Sequence, residues 1–83
     1  MRDTVVWTKT ALGHLTNVYL HAPDPQAVTK AVNRIDLALK DDPEAKGQPF
    51  GRFFTYEDSP LAVLFEIIPD DRMVRILTVK LIP

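Results

Sequence analysis

Two apolar segments in the last third of the chain constrain the fold most strongly. Residues 61–68 read LAVLFEII and residues 73–82 read MVRILTVKLI, and the tetrapeptide 69–72 (PDDR) separates them. Runs of this kind, broken by a polar, proline-containing tetrapeptide, predict two adjacent core strands joined by a tight turn. Residues 61–68 are apolar at odd and even positions alike. We therefore expect this strand at the centre of a sheet, covered at least in part on both faces.

Two amphipathic helices are predicted upstream of these strands. Apolar side chains recur at helical spacing over residues 9–21 and again over residues 25–40. Thr8 is suited to cap the first helix, and Asp24 followed by Pro25 is suited to begin the second. Because the turn between the two helices is short, they must fold back on each other as a hairpin.

Further strands complete the predicted order β-α-α-β-β-β. Thr4–Trp7 is a short β-prone run whose Trp7 we expect to anchor the core. Residues 41–49 form a polar loop with two prolines and a glycine, and the aromatic-rich segment 50–56 is the second strand. The expected fold is a single α+β domain over residues 1–83, with a helical hairpin packed on a mainly antiparallel four-stranded sheet. The other sheet face is then either covered by a partner or left as an apolar patch.

Composition limits the chemistry and the compartment. The chain has no cysteine, so it can form no disulfide, thiolate nucleophile or zinc–cysteine site, and a reducing compartment fits. The first residues lack the apolar stretch of a signal peptide, and no apolar run approaches the roughly 20 residues that span a membrane. We expect a soluble, cytoplasmic protein with no membrane partner.

The net charge of −1 hides an uneven distribution. Residues 1–40 carry five basic and three acidic side chains, residues 41–71 carry two and eight, and residues 72–83 carry three basic side chains and no acid. A dedicated nucleic-acid binder usually has a basic excess, which is absent here overall. A local basic stripe on the last strand and ordinary solvated charge both stay open.

Most catalytic and metal-binding arrangements are absent from the sequence. His14 and His21 are seven residues apart, about 10 Å along a helix, too far to ligate one ion. Ser59 is the only serine and precedes a proline, without the glycines of a nucleophile elbow. The acid pairs at 41–42 and 70–71 are typical of turns and helix caps. We expect no metal and no cofactor.

Cationic side chains are the remaining candidates for catalysis. They are Arg52 in the second strand and Arg75 and Lys80 in the last one. Strict alternation along a strand puts Arg75 and Lys80 on opposite faces, which weakens the case for one basic stripe. Arg52 could lie on either face.

The order and spacing of these elements resemble the RelE/ParE superfamily of bacterial toxins over nearly the whole chain. The resemblance is carried by features in each predicted element: Trp7 with Ala11 and Leu15, the second-helix pattern ending in Leu39, Asp42 and Pro43, Gly47-Gln48-Pro49, residues 61–67 and residues 74–79. It implies a RelE/ParE-like fold and a toxin component of a type II toxin–antitoxin system, of the plasmid stabilisation kind.

The resemblance also implies a pattern of catalytic residues that this chain does not complete. Members that cut mRNA on the ribosome carry basic residues on the second strand, an arginine at the start of the third, and an arginine with a tyrosine or histidine after the fourth. Arg52 matches the first place, whereas Leu61-Ala62 occupy the second and only Pro83 follows Ile82. ParE-like members instead bind DNA gyrase, and both branches are silenced by a small antitoxin.

The sequence therefore favours a toxin-like protein that acts by binding a cellular target and is neutralised by a small antitoxin. Two alternatives stay open. One is a degenerate ribosome-dependent mRNA endoribonuclease that uses Arg52, Arg75 or Lys80. The other is a non-toxic interaction module of the same fold. The target (ribosome and mRNA, or DNA gyrase) and the oligomeric state are left undetermined.

Overall fold

The fold is an α-helical hairpin on one face of a five-stranded sheet. The computed structural model describes residues 3–82. Its elements follow in chain order: β1 (Thr4–Trp7), α1 (Lys9–His21), α2 (Pro25–Lys40), α3 (Pro43–Lys46), β2 (Gln48–Phe50), β3 (Phe53–Asp58), β4 (Leu61–Ile68) and β5 (Met73–Leu81). A single 3₁₀ turn, Pro69–Asp71, joins β4 to β5.

Local capping chemistry fixes the helix starts, as predicted. The Thr8 hydroxyl accepts a hydrogen bond from the Ala11 N–H at 3.2 Å. The Asp24 carboxylate accepts from the N–H groups of Gln26 and Ala27, so donors that the helix itself leaves unpaired are satisfied. In the described range 3–82, no helix is both long enough and apolar enough to cross a membrane.

The sheet has the order β1-β5-β4-β3-β2. β1 pairs with β5 in parallel, and the other three pairings are antiparallel. The α+β fold class and the central position of β4 are confirmed. The neighbours β1 and β5 are far apart in sequence, and α1, α2 and the rest of the sheet lie between them along the chain.

The sheet has five strands, whereas the sequence predicted four. Residues 50–56 do not form one strand, because Gly51 and Arg52 make a two-residue turn between β2 and β3. Gly51 has a φ of +63°, a conformation that favours glycine over other residues. The predicted loop 41–49 likewise contains α3 and most of β2. Pro43 begins α3, and the Lys46 ammonium donates to the Ala38 carbonyl at 2.8 Å.

The core lies between the helices and one sheet face. The largest fully buried side chains come from both layers: Val28, Ile35 and Leu39 from α2, Leu61 and Phe65 from β4, and Val74 and Ile76 from β5. Trp7 packs against this cluster, half-buried, and its indole Nε1–H donates to Asp36 at 3.2 Å. The expectation that Trp7 anchors the core is confirmed.

A β-bulge in β5 overturns one prediction. Leu64 pairs with Thr78, but the next residue, Phe65, pairs with Ile76, so Leu77 is an extra residue in β5. The extra residue reverses the alternation of side chains beyond it. Arg75 and Lys80 therefore lie on the same face of the sheet. The prediction that they point to opposite sides is wrong, because it assumed an uninterrupted strand.

Candidate functional site

The sheet face turned away from the helices is the candidate site, and we call it the open face. It consists of alternate residues of β4 and the residues paired with them. Ala62, Leu64, Glu66 and Ile68 lie along its centre, with Glu57, Thr55 and Phe53 on β3, Gln48 and Phe50 on β2, Lys80, Thr78, Arg75 and Met73 on β5, and Val6 on β1.

The open face mixes apolar and charged side chains in rows across the strands. One row runs from Glu57 through Ala62 to Lys80, and a second runs from Thr55 through Leu64 to Thr78. None of these positions is covered by a helix, yet Ala62 is buried and Leu64, Thr55 and Thr78 are only partly exposed, because neighbouring side chains shield them. Phe50, at the β2 edge of the face, is 63% exposed.

Glu66 and Arg75 form an ion pair on this face. The Arg75 Nη1 donates to the Glu66 Oε1 at 2.9 Å, and both side chains stay partly open to solvent. Because the carboxylate offsets the guanidinium charge, Arg75 is a weaker phosphate ligand than a free arginine would be.

A shallow depression lies above Ala62, where the small side chain leaves space. It has a volume of about 320 Å³ and is bordered by Glu57 on one side and Lys80 on the other. Thr55, Leu64, Thr78 and Phe50 also line it, together with Val63. An amphipathic protein segment with opposite charges on its two sides fits this depression better than a uniformly anionic ligand does.

The three predicted catalytic residues lie on or beside the open face, but they do not converge. Arg75 pairs with Glu66 and Lys80 pairs with Ala62, four residues apart on β4, or about 13 Å along the strand. Arg52 lies in the β2–β3 turn, with its guanidinium carbon 6.0 Å from the centroid of the Phe53 ring. Only a rearrangement of these long side chains would bring all three cations to one phosphate.

The histidine and tyrosine side chains of the described residues do not project from the open face. The Tyr56 side chain packs on the helix-covered side of the sheet, and Tyr19 on α1 shares a hydrogen bond with Thr29 at 2.7 Å. His14 and His21 border a groove of about 280 Å³ between α1 and β5, which Lys80 also lines. The sequence excluded a metal site at these histidines but did not predict that they share a groove with Lys80.

Within residues 3–82 no group of three or more His, Cys, Asp and Glu side chains is placed to hold a metal ion. An ion pair beside the open face has a structural role. Arg34 on α2 donates to the Asp58 carboxylate, with Nη2 and Oδ1 2.8 Å apart, and also to the Ser59 carbonyl. The hydrogen bond to Asp58 is the main cause of a raised pKa at Arg34. This pair ties α2 to the turn between β3 and β4.

The fold is shared with toxin–antitoxin structures. Over 98% of its length, the chain superposes on 92% of a chain of the Mycobacterium tuberculosis toxin–antitoxin complex RelBE2, with a TM-score of 0.82 and 22% identity. It matches the chromosomal ParDE system of P. aeruginosa at a TM-score of 0.69 and 15% identity, covering 98% of this chain and 97% of the other. The isolated E. coli RelE toxin gives 0.67 and 10%, covering 98% and 85%.

These similarities establish a RelE/ParE-type fold and confirm the predicted resemblance at the level of structure. No protein-family model and no curated protein matches the sequence. The fold also matches part of a longer protein. TrmO from P. aeruginosa matches with a TM-score of 0.60 and 23% identity, covering 94% of this chain but 33% of that one.

Proposed function

We propose that this chain is the toxin-like component of a bacterial type II toxin–antitoxin system, that it binds a cellular target through the open face, and that a small antitoxin neutralises it. The similarity to RelBE2, ParDE and RelE over nearly the whole chain is the observation that carries this proposal. The bacterial cytoplasm is the compartment that fits a cysteine-free chain with this role.

Action by binding, rather than by catalysis, is supported by the chemistry of the open face. Cleavage of RNA at a 2′-hydroxyl needs a positioned acid or base and cations at the phosphate. Here Arg75 is paired with Glu66, Lys80 is about 13 Å away along the strand, and the histidines lie on α1. The partly apolar surface around Leu64 and Phe50 is instead typical of a protein-binding surface.

The direct test is controlled expression of the chain alone in a bacterial host. We expect growth to stop. If a small protein encoded beside this chain is found and co-purifies with it, we expect co-expression of that protein to restore growth. Normal growth at high soluble yield would contradict the proposal. That outcome would favour a second candidate, a non-toxic interaction module, which the presence of this fold within the longer TrmO chain also supports.

If growth stops, two measurements separate binding from RNA cleavage. Mapping mRNA 5′ ends detects cutting, whereas induction of the DNA-damage response indicates action on DNA gyrase. The triple variant R52A/R75A/K80A removes every predicted catalytic cation. K9A/K30A removes exposed cations outside the open face and serves as the control. New mRNA ends that disappear only in the triple variant would establish the ribonuclease alternative instead.

A further inference from the structure

The open face combines partial hydrophobicity with a charge pattern that is complementary to itself. Its central line is β4, with β3 on one side and β5 on the other. Glu57 on β3 and Lys80 on β5 flank Ala62 in one row, and both side chains are exposed. No hydrogen bond or salt bridge joins these two side chains within residues 3–82, and their strands are separated by β4. The two charges are therefore available to an outside partner.

A second copy of the chain places opposite charges against each other when a two-fold axis runs parallel to β4. That operation puts β3 of one copy opposite β5 of the other and leaves β4 opposite β4. Glu57 then faces Lys80 of the second copy, twice in the dimer. Leu64 faces Leu64. Phe53 faces Arg75, an arrangement that favours a cation–π contact.

The alternative two-fold arrangement is disfavoured by charge. An axis perpendicular to β4 that passes through Leu64 puts Lys80 opposite Arg75 of the second copy. An axis that passes through Ala62 puts Lys80 opposite Lys80 and Glu57 opposite Glu57. Like charges face each other in both cases, at a cost that makes them poor competitors. The parallel axis gives two attractive Glu57–Lys80 contacts against one like-charge contact, Glu66 with Glu66, whose charge each copy's own Arg75 offsets. Charge therefore favours it over these two perpendicular arrangements.

The size of the open face limits the affinity expected for this dimer. The eight residues of β4 span about 26 Å, and five strands at about 4.8 Å spacing span about 24 Å. The other strands have four (β1), nine (β5), six (β3) and three (β2) residues, so two such faces packed about 10 Å apart bury roughly 950 Å² in total. This area is below the usual range of specific interfaces and fits a weak, transient contact. The depression above Ala62 leaves room for the Glu57 and Lys80 side chains of both copies.

We propose that the open face is also a self-association surface, through which two copies of this chain form a weak, reversible, two-fold symmetric dimer held by reciprocal Glu57–Lys80 ion pairs. The inference concerns the surface alone and is independent of the toxin-like role. It further implies that dimerisation and the binding of any other molecule to this face exclude each other.

Charge reversal tests the proposal directly. Sedimentation equilibrium of the purified chain, from about 1 to 500 μM, should show a monomer–dimer equilibrium with a dissociation constant in the micromolar range. E57K and K80E should each weaken the dimer at least about tenfold, because both reciprocal pairs become repulsive. The double variant E57K/K80E should regain the original affinity.

A mixture of the two single variants gives the sharpest outcome. E57K and K80E mixed in equal amounts should form a heterodimer at least about tenfold tighter than either homodimer. The reason is that positions 57 and 80 are both lysine in the first variant and both glutamate in the second, so both cross-pairs become attractive. E44K and K30E make the same charge changes away from the open face and should leave the equilibrium unchanged. Circular dichroism verifies that each variant is folded.

Three results would overturn the proposal. They are a wild-type chain that stays monomeric across the whole concentration range, a dimer that is insensitive to E57K and K80E, and a mixture no tighter than the separate variants. A monomer that nevertheless binds an antitoxin or a nucleic acid through this face would assign the surface to that partner alone.

Discussion

The two faces of the sheet are built from the same strands, but they differ in how much they contribute to stability and in whether they are available for function. On β4, Leu61, Val63 and Phe65 point to the helices and are at most 2% exposed, whereas Leu64 and Glu66 on the open face are only half-buried. Burial of apolar area is the main source of stability, so the helix-covered face carries the fold. The open face can change its side chains with little effect on stability, and it is the face available for function.

The largest expected difference in stability is between substitutions at two neighbouring residues of β4, Phe65 and Leu64. Phe65→Ala removes a fully buried ring that stacks on Phe54 with centroids 5.6 Å apart. We expect it to lower the free energy of unfolding by about 3–5 kcal/mol, since the cavity is enclosed by core side chains. Leu64→Ala on the open face should cost about 1 kcal/mol. Urea denaturation of both variants measures the difference, and equal losses would contradict the assignment of the two faces.

A smaller pair of effects, opposite in sign, is expected at two glycines. A Cβ at Gly47 would lie 2.6 Å from the Phe65 ring, whereas a Cβ at Gly13, on the outer side of α1, would meet nothing within 4 Å. Gly47→Ala should destabilise by about 1–3 kcal/mol through overpacking. Gly13→Ala should stabilise by about 0.5–1 kcal/mol through helix propensity. Melting temperatures that move in the same direction for both variants would refute this prediction.

The smallest effect is expected on the open face. The Glu66–Arg75 pair is partly exposed, with side chains 29% and 44% accessible, so solvent and salt screen it. A double-mutant cycle of E66Q and R75A should give a coupling energy below about 1 kcal/mol that declines further in about 1 M NaCl. A larger, salt-insensitive coupling would mean that this face also carries part of the stability.

Features fixed by neighbouring residues were predictable from the sequence. Thr8 and Asp24 cap α1 and α2 as expected because a cap needs only the residues two or three positions ahead. The central position of β4 followed from its apolar residues on both faces. The toxin-like role and the catalytic candidates Arg52, Arg75 and Lys80 stay predictions.

Features that depend on pairing with a distant strand were missed. The Leu77 bulge exists only in relation to β4, and the prediction of one strand over 50–56 ignored the turn that Gly51 permits. A signal for the bulge was nevertheless present. Apolar residues occupy even positions at Val74 and Ile76, and then polar residues take them over at Thr78 and Lys80. Such a reversal of the apolar–polar alternation is what one extra residue in a half-buried strand is expected to produce.

The parallel pairing of β1 with β5 has a consequence for synthesis of the chain. Thr8 donates its hydroxyl hydrogen to the Ile76 carbonyl at 2.8 Å, across 68 residues of sequence. β1 therefore has no strand to pair with until β5 has left the ribosome, and β4 lacks one of its two neighbours until the same moment. A nascent chain of this topology cannot present a complete open face before β5 has emerged. Contacts of such long sequence separation also slow folding.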